Sequence, residues 1–453
     1  MRTIHQSSNH LCRLLFVVVL VTTFAFAQKK PATPAQGKPA QQPTATQAIV
    51  LKGGRFLTVS KGVIENGALV IQNGKIAAIG PMASTPIPAQ ARVIDTMGMT
   101  IYPGLIDSES QLGLTEISAD EMTNDLREPA DNVVPHMRVS DAFHAESEVI
   151  PVTRLNGITN AMVVADIRNS LPGQTSFIQL DGGSAADMLL IRDFVLPLNF
   201  TGDQRRNGNG RGESRGGFPM TRMGVAAQLR QAFLDAQDYA RKWDEYERKK
   251  NDPKATPPKR DLKLEALVPY VQGKKTVVIS ANEPSDLQAA VRIAQEFGLK
   301  FVLNRIAHAQ PVLDWVASLK VPVIVGPIYE LPKDTERYDA VYRLPAELHK
   351  RGVKIALASY DAHNARNLPY QAGYAAAWGL PADEALKAIT LNPAEIWGVA
   401  DRLGSLDVGK MANIVVATGD PLDMKTDVKR LFIAGREVPM VSRQTQLRDQ
   451  YTK

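Results

Sequence analysis

The 453 residues are 44% hydrophobic and 22% charged, the balance of a core-forming globular protein and not of a fibrous or disordered one. That length accommodates two or three ordinary domains, or one large barrel with an accessory domain. A formal charge of +6, part of it in the first residues and part in an Arg/Gly stretch, is too small and dispersed to argue for a nucleic-acid partner.

Residues 1–27 have the layout of a secretory signal peptide. Arg2 and Arg13 supply positive charge, and the apolar stretch over 14–26 is broken only by Thr22 and Thr23. Ala25-Phe26-Ala27 gives the small-x-small cleavage pattern. The apolar run is short for a bilayer span, and an uncleaved anchor is the competing reading. Cys12, the only cysteine, lies inside this leader at a place unsuited to a lipobox. The mature chain is therefore expected to be thiol-free and to depend on burial in place of disulfides. Export to the periplasm or beyond follows, with no membrane attachment after cleavage.

Residues 28–47, rich in Pro, Ala, Gln and Thr, read as a disordered linker. Short strands come next: Ala48-Ile49-Val50-Leu51, Ala68-Leu69-Val70-Ile71 and Ile76-Ala77-Ala78-Ile79, the last two joined at Asn73-Gly74. Asn-Gly between two such runs signals a two-residue hairpin. From about residue 101 to 398 strand-like and helical runs alternate. Asn160-Ala161-Met162-Val163-Val164, Thr276-Val277-Val278-Ile279, Lys300-Phe301-Val302-Leu303 and Val353-Lys354-Ile355-Ala356-Leu357 are strands. Residues 284–297, with Leu287, Val291, Ile293 and Ala294 on one face, form a helix. Repeated strand and helix units imply a parallel sheet closed into a barrel, and no Gly-rich phosphate turn supports an open doubly wound sheet. Two segments interrupt the pattern. Residues 202–217, carrying Arg205, Arg206, Arg211 and Arg215, read as a flexible loop, and residues 222–250 as a long amphipathic helix packed on the barrel.

The stretch Tyr102-Pro103-Gly104-Leu105-Ile106-Asp107-Ser108-Glu109-Ser110-Gln111 carries the most chemical information. Side chains alternate along a strand, so Glu109 and Gln111 point the same way, and at a barrel strand's C-terminal end that way is into the mouth. Further on stand Asp361-Ala362-His363-Asn364-Ala365-Arg366-Asn367, then Ala388-Ile389-Thr390-Leu391-Asn392-Pro393-Ala394, then Gly404-Ser405-Leu406-Asp407-Val408-Gly409-Lys410 with Ala412-Asn413-Ile414-Val415-Val416.

In this order the segments resemble the amidohydrolase superfamily, and its imidazolonepropionase-like members in particular. The resemblance covers residues 48–440. It implies an α/β fold: a (β/α)8 TIM-type barrel over 99–405 with an insertion at 202–260, and a small discontinuous β-sandwich domain built from 48–98 plus 406–440. It implies a hydrolase that acts on carbon–nitrogen bonds of cyclic amides or peptidic small molecules, using a divalent metal such as zinc. The family's first strand ends in His-x-His, where this chain has Glu109 and Gln111. The fifth strand ends in a histidine, here Ser280; the sixth ends in another, where the nearest equivalents are Arg305 or, with a three-residue slip, His308. Asp361 matches the aspartate that binds the metal and accepts a proton from the attacking water, and is the catalytic candidate. Its alternative role is to cap the helix that follows. His308, His363 and Asn364 are candidates for contact with a small-molecule, amide-like substrate, and His308 or His363 for a recruited metal ligand.

His136, His144, His308, His349 and His363, the histidines beyond the leader, show no i, i+2 or i, i+4 ligand spacing. The residues therefore predict a degenerate metal site, in which Arg305 pairs with Glu109 or Asp361 where an ion would sit. Two functions follow. One is a C–N hydrolase with weak or lost catalysis. The other is a catalytically silent binding or assembly subunit, in a homo-oligomer or in a hetero-oligomer with a related amidohydrolase.

Overall fold

The computed structural model describes residues 47–200, 218–219, 221–333 and 335–452. The leader, the linker as far as residue 46 and the Arg/Gly stretch lie outside the described residues. Among those described, no helix is long and apolar enough to cross a membrane.

Two sheets at the chain ends face each other. One has the strand order Lys75–Pro81, Gly67–Gln72, Ile49–Lys52, Arg92–Asp95. Its hairpin turns at Asn73 and Gly74 with both φ angles positive (51° and 76°), the geometry that Asn-Gly supplies at least strain. The other sheet runs Arg436–Val438, Val428–Ile433, Ile414–Ala417, Thr100–Pro103, Arg55–Leu57, Val63–Ile64. Here the C-terminal strands continue directly into N-terminal ones, through the antiparallel pairing of Ile414–Ala417 with Thr100–Pro103. Thr100–Pro103, which the sequence pattern put at the start of the barrel, is thus a strand of this sheet.

Strand alternation explains why this second sheet is so apolar. Ile101, Ile414, Val416 and Phe432 join Leu51, Leu69, Ile71 and Ile76 in the core between the two sheets. Their neighbours Tyr102, Val415, Ala417, Leu431 and Ile433 point the other way, into the main core. A sheet buried on both faces reads as continuous hydrophobic sequence.

The rest forms two arcs of strands. Leu196–Asn199, Thr276–Ser280, Lys300–Asn304, Val323–Val325 and Ile355–Leu357 are parallel neighbours in that order. Leu105–Ser110 pairs parallel with Ile158–Val163, which is followed by Ser176–Gln179 and Leu189–Ile191. Backbone hydrogen bonds join the arcs at both ends. Tyr360 N donates to Glu109 O at 2.9 Å and Gln111 N to Asp361 O at 3.3 Å; opposite them, Thr175 N donates to Val195 O at 3.0 Å. Ser176–Gln179 departs from the expected all-parallel pattern, for it is antiparallel to Ile158–Val163. The segment between them contains no helix, and an antiparallel neighbour needs no crossover helix to reach its place.

Inside the arcs Ile106, Met162, Phe177, Val278, Val302 and Ile324 pack together, while alternate residues such as Val277, Ile279, Leu303 and Val323 face the surrounding helices. The helix Arg222–Lys249 buries Val225, Leu229, Phe233 and Ala236 against the helices Leu262–Val271 and Pro284–Glu296. It is a packing element of the barrel wall.

One side chain ties the first barrel strand to the last. Asp107, fully buried, accepts hydrogen bonds from Ser359 N (3.0 Å), from the Ser359 hydroxyl and from Glu109 N (3.3 Å). Burial nevertheless pushes its carboxyl up to about 7, against those hydrogen bonds. A folded-state value above the unfolded one, near 3.9, means the folded protein holds an extra proton between those two pH values. Stability from this group is present at the acid end of that window and lost as pH rises through about 7. Asp107→Asn should therefore remove a slope of up to about 1.4 kcal/mol per pH unit from unfolding free energies measured between about pH 4 and pH 8. Parallel pH profiles for wild type and variant would refute this.

Candidate functional site

Four strand ends deliver one polar cluster. Ser280 and Asn304 are the last residues of adjacent parallel strands and pair in register, so their side chains emerge side by side. Glu109 comes from Leu105–Ser110, whose register against Ile158–Val163 shifts between Asp107 and Ser110. Such an irregularity re-aims a side chain, and Glu109 meets Asn304 across the opening. Tyr360 enters from just beyond Ile355–Leu357.

Both carboxylate oxygens of Glu109 accept hydrogen bonds. Asn304 Nδ2 donates to Glu109 Oε2 at 2.5 Å and to Ser280 Oγ at 3.1 Å. Arg305 Nε and Nη2 both donate to Glu109 Oε1, at 3.0 and 2.8 Å. Tyr360 donates its hydroxyl to Asn304 Oδ1 at 2.8 Å, and its ring lies 4.1 Å beneath the Arg305 guanidinium carbon. Burial, followed by the Glu109 charge, raises the Tyr360 hydroxyl well above its ordinary value, so it stays a neutral donor. Glu109 is 4% exposed, Ser280 1% and Asn304 0%. Arg305 and Tyr360 both take left-handed backbone conformations, φ 53° and 59°. For side chains of this size such angles carry a cost, and they recur where a structure fixes a side chain for a purpose.

Of the residues the sequence nominated, Glu109, Ser280 and Arg305 meet in this cluster. Gln111, half-buried, follows the strand, and its backbone N–H reaches Asp361 O. Asp361 does not enter the cluster through its carboxylate. Its two oxygens accept from Asn364 N and Nδ2 at 3.0 and 3.1 Å, which fixes the turn ahead of 363–367. Ala362, and not Asp361, stands at the N-terminus of that short helix, and no side chain caps it. Asn364, exposed, is thus occupied with Asp361, and His363 is half-buried beside it. His308 is buried with Nδ1 2.9 Å from Glu336, a pair within the rim loops and not a member of the cluster. Lys333 and Glu283 form a second ion pair between rim loops.

Asn304 and Tyr360 were not legible as site residues. For Asn304 a signal existed: aligning Thr276–Ser280 with Lys300–Asn304 end to end puts it beside Ser280 and Arg305 one residue beyond. For Tyr360 none existed, since nothing in Ser359-Tyr360-Asp361 announces a left-handed residue.

These side chains do not fit a divalent metal. Both oxygens of the carboxylate that could bind one are hydrogen-bonded, to Arg305 and to Asn304, a fixed guanidinium stands against it, and the remaining donors are a hydroxyl, an amide and a phenol. Among the described residues no three His, Cys, Asp or Glu side chains stand close enough to share an ion.

Residues 295–438 match the amidohydrolase family. The amidohydrolase tasK of Hapsidospora irregularis is 25% identical over 393 residues, 82% of this chain and 39% of that protein. Imidazolonepropionase of Geobacillus kaustophilus is 38% identical over 79 residues, 15% of this chain and 19% of that one. The chain spans about two fifths of the first curated relatives it matches, 39% and 38% of their lengths. The crystal structure of an amidohydrolase from Thermotoga maritima superposes with a TM-score of 0.79 at 29% identity, covering 86% of this chain and 99% of that one. With the composite β-domain, the strand arcs and these matches together, the chain is similar to the amidohydrolase superfamily in sequence and in fold.

Proposed function

We propose that this protein keeps the scaffold of the carbon–nitrogen hydrolases, has given up their metal-dependent step, and serves as an exported binding or assembly subunit. The observation that carries the reading is the Arg305–Glu109 pair. A hydrolytic metal site needs about three protein ligands and an open position, held tightly enough to bring the pKa of a bound water from 15.7 toward about 7. Here the family's ligand positions hold Glu109, Gln111 and Ser280, and a tethered cation already neutralises the carboxylate. Asp361, the remaining match, is engaged in holding a turn. No hydrolytic step is assigned to the cluster.

The partner we propose is a related amidohydrolase that retains its metal ligands. Support comes from the Hapsidospora irregularis relative, in which the matching part occupies 39% of a longer chain, so a unit of this kind is there joined to further polypeptide. The leader-like residues 1–27 support export.

Turnover decides between this reading and a working hydrolase. Purified protein supplied with zinc should show no hydrolysis above the uncatalysed rate on a panel of cyclic amides and small peptides, and Asp361→Ala should leave that result unchanged. Robust turnover that vanishes in Asp361→Ala would overturn the proposal. Rebuilding the site provides a second test. Glu109→His, Gln111→His, Ser280→His and Asn304→His combined with Arg305→Gly should raise bound zinc, read by elemental analysis, from well under one toward one per chain. Zinc at one per chain in the wild-type protein would contradict the ligand argument.

A further inference from the structure

We infer that Glu109, Asn304 and Tyr360 form a binding site for a planar, guanidinium-class cation, and that Arg305 is its built-in occupant. The inference uses the same cluster as the functional reading but does not depend on the absence of turnover, and its test is read on stability.

Three features define the site. Glu109 supplies one buried negative charge, and its Oε1 takes two N–H groups of one guanidinium at 3.0 and 2.8 Å. Tyr360 supplies an aromatic face 4.1 Å from the guanidinium carbon, a distance at which a flat cation stacks. Asn304 orients both, donating to Glu109 Oε2 and accepting from Tyr360. None of these groups belongs to the segment that carries Arg305 except Asn304, so the receptor is assembled from three separate strand ends. The occupant arrives by a backbone excursion: Arg305 sits at φ 53°, just past its strand, and its side chain is still partly exposed, at 17%. A carboxylate fixed by neighbours, a ring fixed by a hydrogen bond and an opening to solvent are what an exogenous guanidinium would require if the tethered one were removed.

Arg305→Gly removes the occupant and also suits the positive φ, so the backbone loses nothing by the change. The thermal midpoint should fall by about 3–6 °C, because Glu109 is left buried without its cation. Methylguanidinium chloride at about 20 mM, far below denaturing concentrations, should restore at least about half of that loss in Arg305→Gly. Equal concentrations of urea, sodium chloride or zinc chloride should not. Wild type, whose site is filled, should show no gain, and neither should Arg305→Gly with Glu109→Gln. Recovery that persists with Glu109→Gln, or is matched by sodium chloride, would overturn the inference, as would greater stabilisation of Arg305→Gly by zinc than by methylguanidinium. Should Arg305→Gly fail to fold alone, Arg305→Lys keeps the charge without the planar fork. A lysine variant as stable as wild type would show that any cation suffices and that the site has no guanidinium character.

Discussion

A carboxylate buried at the end of the first barrel strand needs a positive charge within reach, and in this chain the charge is covalently attached. Leaving Glu109 4% exposed without a counter-ion would cost several kcal/mol or force it to take a proton. The Arg305 guanidinium removes that cost through two N–H bonds to one oxygen, and Asn304 satisfies the other. The consequences spread outward. Asn304 must face Glu109, so it cannot turn to Tyr360 except through its carbonyl oxygen, and the tyrosine donates accordingly. Tyr360 then lies under the guanidinium, at a left-handed backbone position. One ion pair thus decides the orientation of the residues at three strand ends.

The scaffold holding this pair is constrained from below by a sheet that belongs to two cores at once. Ile414 and Val416 fill the sandwich while Val415 and Ala417 fill the main core, and Ile101 and Tyr102 divide in the same way. A one-residue slip in that sheet would exchange the two sets of side chains, so its register is held from both sides. Gly104, which follows directly, has no room for a side chain: a Cβ there would lie 2.2 Å from Thr159 Oγ1. The chain therefore enters Leu105–Ser110 at a fixed point, and the position of Glu109 along its strand is set five residues before it is reached.

Those parts of the fold governed by local chemistry and periodicity were legible in the sequence. Asn73-Gly74 makes the hairpin that its φ preferences favour, the apolar spacing over Leu287, Val291 and Ile293 gives the helix Pro284–Glu296, and both chain ends meet in one sheet. The pairing of Arg305 with Glu109 was legible as well, because an unpaired carboxylate among strand ends demands a partner. What stayed hidden depends on backbone geometry beyond regular elements. The antiparallel course of Ser176–Gln179, the register shift after Asp107 and the left-handed Tyr360 leave no periodic trace. The bonds that Asp361 accepts from Asn364 leave no periodic trace either.

An internal cation differs from a bound metal in what it leaves chemically open. A divalent ion in a hydrolase keeps a coordination position for water, and the protein supplies the rest of the shell. A guanidinium carries its charge spread over a plane, always protonated, with donors that satisfy acceptors but no empty orbital for a water oxygen. Placed against Glu109 it can neutralise the carboxylate and hold strand ends together, which is the structural half of a metal's work. It cannot lower the pKa of a coordinated water, which is the catalytic half. Tyr360 stacks on one face of that plane, its ring 4.1 Å from the guanidinium carbon. A guanidinium in this setting therefore supplies an electrostatic tie between strand ends without offering water a coordination position.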